Sequence, residues 1–188
     1  MESKRFIYFA GFITLFGLGG VGVLLLYFFH DLTLSNLFCD APQNTFLQLG
    51  IGILYAIISS GILIYLLQKK MLDATRYFFA RLMKKYTIDV NDILFLSFCA
   101  GVGEELLFRG TIQPWLGIWL TALLFIFLHG YLNPKDKPLF IYGTVLLIVS
   151  AGFGYLMQAS GIIAAITAHF IIDVVLMLYL KRSAFPNV

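Results

Sequence analysis

GVGEELLFRG, residues 101–110, puts two glutamates and an arginine into a run of sequence that is otherwise apolar. Whether that run crosses a membrane decides the fold. Of the 188 residues, 60% are hydrophobic and only 12% charged, far more apolar than a soluble domain. A hydrocarbon core of roughly 30 Å needs about 20 apolar helical residues, and the chain supplies that length repeatedly between short polar interruptions. The sequence therefore predicts an all-α, polytopic membrane helix bundle with about six transmembrane helices.

The first two spans, Phe6 to Phe29 and Phe46 to Leu67, contain no Asp, Glu, Lys, Arg or His and read as lipid-facing scaffold. Four more apolar stretches follow Asp92, centred near Ala100, Leu123, Leu147 and Phe170. MESKR at the start is followed by 24 apolar residues, too many for a signal-peptide core, so it reads as a retained span. The connector 30–45 carries Asp31 and Asp40 but no Lys or Arg, whereas 68–92 carries Lys69, Lys70, Arg76, Arg81, Lys84 and Lys85. The positive-inside rule puts the second connector in the cytoplasm, with both termini, Lys135 and Lys137 on the same side. Within it, MLDATRYFFARLMKKY (71–86) interleaves Met71, Phe78, Leu82 and Met83 with basic residues, as a cytoplasmic amphipathic helix does; a solvated basic loop is the competing reading. A net charge of +3, clustered beside apolar runs, carries topology and excludes a nucleic-acid surface. Cys39 and Cys99 have the spacing of neither a metal knuckle nor a disulfide framework.

An ionisable side chain at membrane depth costs at least ~2.5 kcal/mol for Asp, Lys or Arg, so each needs a partner or a task. Here they gather in the second half: Glu104, Glu105 and Arg109 in the third span, His129 late in the fourth, His169 and Asp173 in the sixth. Glu105 and Arg109 are four apart on a helix and can pair, while Glu104 points about 100° away and stays free. His169 and Asp173 share the same spacing, which lets the carboxylate orient the imidazole. Phe125 and His129 share a face likewise. Gly101 and Gly103 allow close approach of another helix or of a substrate backbone.

Depth matching brings these groups together. If the third and fourth spans turn near Leu116 and Gly117, Glu104 and His129 both lie roughly 18 Å from one face; a turn near Ser160 puts His169 roughly 13 Å from it. One polar cavity near the midplane follows. A carboxylate with two imidazoles and no nucleophilic Ser or Cys suits water activation, Glu104 as general base and a histidine stabilising the oxyanion, with peptide-bond hydrolysis the natural reaction. The same residues could hold zinc, although HExxH is absent; the reading adopted has no metal and no cofactor. A proton-coupled transporter or channel with a buried Glu/His/Asp relay is the alternative from another class. His30, Tyr8, Tyr27, Tyr131 and Tyr179 read as span-end residues, the tyrosines as an aromatic belt. GVGE also mimics the GxGD signature of presenilin-like aspartyl proteases, but no membrane-embedded Asp precedes it and no Pro-Ala-Leu follows.

Three ordered motifs, Glu104-Glu105-xxx-Arg109, Phe125-xxx-His129 and His169-xxx-Asp173, resemble the EExxxR, FxxxH and HxxxN/D motifs of one family: the CPBP or Abi intramembrane glutamic proteases, which include CAAX prenyl protease 2 and lysostaphin-resistance-protein-A-like proteins. The resemblance covers roughly Asp92 to Leu180. It implies that Glu104 activates water, that His129 and His169 assist and bind the oxyanion, and that Glu105 with Arg109 stabilises the site, completed by Asp173 and Phe125. Eukaryotic prenyl-protein members carry Asn at the last position and more spans, so Asp173 and the six-span length favour bacterial-type relatives and a prokaryotic plasma membrane. Such relatives suggest processing of a membrane-associated peptide precursor, bacteriocin-related immunity, or cleavage of a C-terminal sorting tail. The chain then divides into a two-span scaffold with its basic connector (1–91), a four-helix catalytic core (92–182) and a tail (183–188). Its partners would be a peptide or protein substrate and the bilayer.

Overall fold

A computed structural model describes residues 2–30 and 32–183. Asp31 and positions 184–188 of the expected tail lie outside the described residues. The described chain is all-α: α1 (Glu2–Phe12), α2 (Gly19–Phe29), α3 (Leu34–Cys39), α4 (Thr45–Leu67), α5 (Asp73–Lys85), α6 (Val90–Leu107), α7 (Gln113–Leu128), α8 (Lys137–Ala159) and α9 (Ile162–Ser183). Five helical runs are long and apolar enough to cross a membrane: Lys4–Phe29, Thr45–Leu67, Val90–Leu128, Lys137–Ala159 and Ile162–Ser183. Side chains set their starts. Asn44 caps α4 by accepting from the Leu47 N–H at 3.0 Å, Asp136 caps α8 through Leu139, and Asp89 forms a reciprocal capping box with Asp92 at α6.

The third run, at 39 residues, is nearly twice the length a bilayer needs: about 58 Å if straight. It is not straight. Gly117 has φ 72° and ψ 174°, a conformation essentially reserved for glycine, and there the chain doubles back. Glu104 and His129, about 38 Å apart on a continuous helix, consequently have side-chain tips 3.8 Å apart. The hairpin expected near Leu116 and Gly117 is thus present inside one helical run. The fourth span is a helix only to Leu128, after which His129 and Gly130 turn and residues 131–133 run without regular structure. Irregular backbone at such depth is tolerated where it lines a cavity or is buried in protein.

Two π-helical turns interrupt the bundle, Ile13–Leu18 between α1 and α2, and Phe108–Ile112 between α6 and α7. The first packs on Gly103, just before the glutamate pair. A Cβ on Gly103 would collide with the Thr14 carbonyl oxygen, and one on Gly101 would meet Phe170 and the Ile166 carbonyl of α9 at 3.3 Å. The expected close approach at Gly101 and Gly103 is therefore made by helices on both sides of α6.

Helices α4, α8 and α9 share one apolar core, in which Ala56 and Leu63 pack with Phe153, Ala165, Ala168 and Ile172. The first two spans keep much of the exposure expected of a lipid-facing scaffold, with Phe9, Phe16, Phe46, Leu54 and Ile57 all exposed. Each also buries a stripe, Gly19, Gly22 and Leu26 in α2 and Gln48, Gly52, Ala56, Ser59 and Leu63 in α4. The basic connector is helical, not a solvated loop. Thr75, Ala80 and Met83 of α5 face the bundle, and Phe78 and Leu82 face outward.

Candidate active site

The glutamates end α6 just before the π-turn, the kind of local distortion that recurs at functional sites. Glu104 and Glu105 leave the helix in different directions, and each meets different company. Glu104 Oε2 stands 3.8 Å from His129 Nε2 and 3.9 Å from His169 Nε2. Both separations are too long for a direct hydrogen bond and of the size one bridging water spans. These groups and Asp173 line a cavity of about 200 Å³ between α6, α7, α8 and α9. Its open side is marked by exposure: the side chains of His129 and Asp173 are 35% and 33% exposed, those of Glu104 and His169 only 12% and 7%.

Glu105 does more than pair with Arg109. Its Oε2 lies 3.3 Å from Arg109 Nε, as the four-residue spacing required, and its Oε1 accepts from His169 Nδ1 at 2.8 Å. The expected orienting carboxylate for His169 was Asp173, four residues on. Asp173 does pair with the ring, but at 3.6 Å from Nε2, the nitrogen that faces Glu104, so the bond to Nδ1 belongs to Glu105. The i,i+4 spacing brought Asp173 near the ring, but the short bond went to the more deeply buried carboxylate.

Both imidazoles are held by Nδ1. His129 Nδ1 lies 2.7 Å from the Phe125 carbonyl, one helical turn back, so this nitrogen donates. A carbonyl oxygen and a carboxylate only accept, which fixes the Nδ1–H form on both rings and leaves each Nε2 turned to Glu104. Aromatic rings fix their planes. His129 packs on Phe125 with centroids 4.4 Å apart, and His169 stacks on Phe153 at 5.2 Å and 14°.

Arg109 is 1% exposed and anchors this shell from behind. Its Nη2 donates to the Ser150 carbonyl at 3.0 Å and to Ser150 Oγ at 2.8 Å, and its guanidinium lies 4.9 Å from the Phe125 ring centroid and 5.5 Å from that of Phe153. A buried cation beside one carboxylate and two acceptor oxygens is a compensated charge.

Ser150, Tyr131 and Tyr142 line the cavity and were not among the expected site residues. Tyr131, expected in an aromatic belt, instead lies parallel to the His129 ring at 5.9 Å and against Tyr142 at 6.1 Å. Its backbone reaches there because α8 offers Gly143, where a Cβ would lie 2.6 Å from the Tyr131 carbonyl oxygen. The small residues of SAGFG (150–154) were the available signal for a close neighbour of the site. His30 lies apart, its Nε2 3.1 Å from the Thr111 carbonyl and its ring on Trp115. Cys39 is exposed, Cys99 buried, and both are free. Among the described residues no three His, Cys, Asp or Glu side chains are grouped to hold a metal ion.

Residues 87–175 match the family model for type II CAAX prenyl endopeptidases, Rce1-like. An uncharacterized protein of Bacillus subtilis (strain 168), YpbD, is 38% identical over 88 residues, 46% of this chain and 44% of that protein. The match thus spans less than half the length of this curated relative. No solved structure matches. With several apolar helices of membrane-spanning length, the chain is an integral membrane protein. The segment 87–175, which matches the Rce1-like family model, carries every one of the converging side chains.

Proposed function

We propose that this protein is an intramembrane endopeptidase that cleaves a peptide bond of a membrane-associated peptide or C-terminal tail, with Glu104 activating the attacking water. The observation that carries this reading is the convergence of Glu104 Oε2 with two imidazole nitrogens at 3.8 and 3.9 Å, on the wall of a cavity of about 200 Å³ inside an apolar bundle. The match of the same segment to a family model described as one of endopeptidases supports the reaction class.

The side chains divide the work as follows. Water between Glu104 and the histidines gives a proton to the Glu104 carboxylate as its oxygen attacks the scissile carbonyl. The new alkoxide needs a donor. Because each Nδ1 is already committed, a histidine donates from Nε2 only as imidazolium, and Asp173 Oδ2 stands 3.6 Å from His169 Nε2. Glu104 then passes its proton to the leaving amine. Arg109, Glu105 and Ser150 touch no substrate in this scheme; they hold His169 in place.

This reading uses no metal ion. Purified protein in lipid nanodiscs would be incubated with farnesylated CAAX peptides and, separately, with membrane-anchored peptides bearing C-terminal tails, and products identified by mass spectrometry. Cleavage by the wild type that persists in Glu104→Gln would overturn the mechanism. Loss of activity on chelation, restored by zinc, would replace it with a metal-dependent one.

A further inference from the structure

The outward face of α5 takes no part in the chemistry above. Phe78, Arg81, Leu82 and Lys85 fall at i, i+3, i+4 and i+7, so one helical stripe alternates apolar and cationic side chains. They line a shallow cleft, and Phe78 and Leu82 are 55% and 41% exposed although the helix buries Ala80 and Met83 on its other side. The helix connects the ends of two runs long and apolar enough to cross a membrane, Thr45–Leu67 and Val90–Leu128.

The acidic side chains of the same connector are already engaged. Asp73 pairs with Arg76 at 2.6 Å, and Asp89 and Asp92 both pair with Lys4. No carboxylate among the described residues pairs with Arg81 or Lys85. Arg81 Nε donates to the Tyr77 carbonyl at 3.4 Å, and the Lys85 ammonium lies over the Tyr86 ring at 5.2 Å. The stripe therefore offers two cations and two apolar side chains at one level, which is the chemistry of an anionic headgroup with its first acyl carbons beside it.

We propose that Phe78, Arg81, Leu82 and Lys85 form a docking site for anionic phospholipid. Arg81 and Lys85 take the headgroup phosphate, and Phe78 and Leu82 enter the interfacial region of the leaflet. On its inner side the same helix touches the cavity wall: Phe79, next to Phe78 with rings 5.2 Å apart, packs on Tyr131 at 6.0 Å and Tyr142 at 6.3 Å. Lipid bound outside α5 thus bears on the helix that backs these cavity-lining tyrosines.

The test needs no substrate. With Trp115→Phe and Trp119→Phe removing the native indoles, Phe78→Trp reports local lipid contact when the full chain is reconstituted in vesicles holding brominated phosphatidylglycerol or brominated phosphatidylcholine. We expect stronger quenching by the phosphatidylglycerol, weakened by salt, with the preference falling roughly fivefold for each cation removed by Arg81→Gln and Lys85→Gln. The exchange Arg81→Lys with Lys85→Arg keeps it. Should the triple variant fail to fold by circular dichroism, counting lipid adducts on the wild type by native mass spectrometry replaces it. Equal response to both lipids in either measurement, or a preference that survives loss of both cations, overturns the proposal without touching the peptidase reading.

Discussion

Glu105 and His169, 64 positions apart in sequence, share a 2.8 Å hydrogen bond with Glu105 wholly buried. Glu105 therefore connects Arg109 to the imidazole, whereas its neighbour Glu104 makes no hydrogen bond to either histidine and keeps its oxygens for the cavity. The two glutamates should respond differently to the same change. Glu105→Gln leaves a buried guanidinium without its carboxylate, a loss in the range of about 3–5 kcal/mol, and should lower thermal stability and activity together. Glu104→Gln breaks no bond and should abolish cleavage at unchanged or raised stability. Melting curves beside activity assays decide; equal destabilisation by both would contradict this division.

Ser150 is the next link outward. Ser150→Ala removes the Oγ that accepts from Arg109 Nη2 but keeps the backbone carbonyl partner. Loss of one acceptor for a buried charged donor costs about 1–3 kcal/mol. Activity should drop through a lower kcat with little change in KM, since Ser150 acts on His169 through Arg109 and Glu105. A pure KM effect would instead make Ser150 a substrate contact.

Gly117 separates backbone strain from packing. A Cβ there has nothing within 4 Å, so Gly117→Ala meets no clash; its whole cost is the positive φ, about 1–3 kcal/mol. Because the hairpin alone brings His129 back to Glu104, activity should fall by more than the melting temperature suggests. Gly103→Ala is the contrasting case, since its Cβ would press on the backbone of Thr14 and should destabilise by overpacking, about 1–3 kcal/mol. If Gly117→Ala behaves as wild type in both measurements, the turn is not the constraint that sets the site.

These cases also mark what the sequence could reveal. Charges in an apolar run are conspicuous, so Glu104, Glu105, Arg109, His129, His169 and Asp173 stood out at once. Helical rise then matched the depths of three of them. The pairing inside that set was not legible. Spacing along one helix nominated Asp173 for His169, but the decisive partner came from α6, across a helix contact that periodicity cannot register. Ser150 and Tyr142 were hidden for a related reason: a lone Ser or Tyr in a span is ordinary, and only Arg109 and Tyr131 against them give them a place. Tyr131 was misplaced because α7 ends at Leu128, so the following residues stay in the bundle and do not reach its edge. Helix α5 was half legible, its amphipathic pattern plain but shared by any basic loop.

The clasp between the first span and α6 gives a prediction with a definite sign in pH. Lys4 Nζ donates to Asp89 Oδ2 at 2.8 Å and also binds Asp92, which is itself buried at the start of α6. The Lys4 ammonium, with the Asp92 N–H, pulls the Asp89 carboxyl down to about 2. An unfolded Asp titrates near 3.9. A group depressed on folding stabilises above its unfolded pKa, and that contribution disappears as pH falls from about 4 through about 2. Lys4→Gln removes the cause, so wild type should melt above the variant at pH 6 and the gap should close by about pH 2. Asp89 is exposed, so salt should shrink the gap as well. A gap that stays constant down to pH 2, or that ignores ionic strength, would mean that Lys4 stabilises the bundle by packing its stem against α6 and not through its charge.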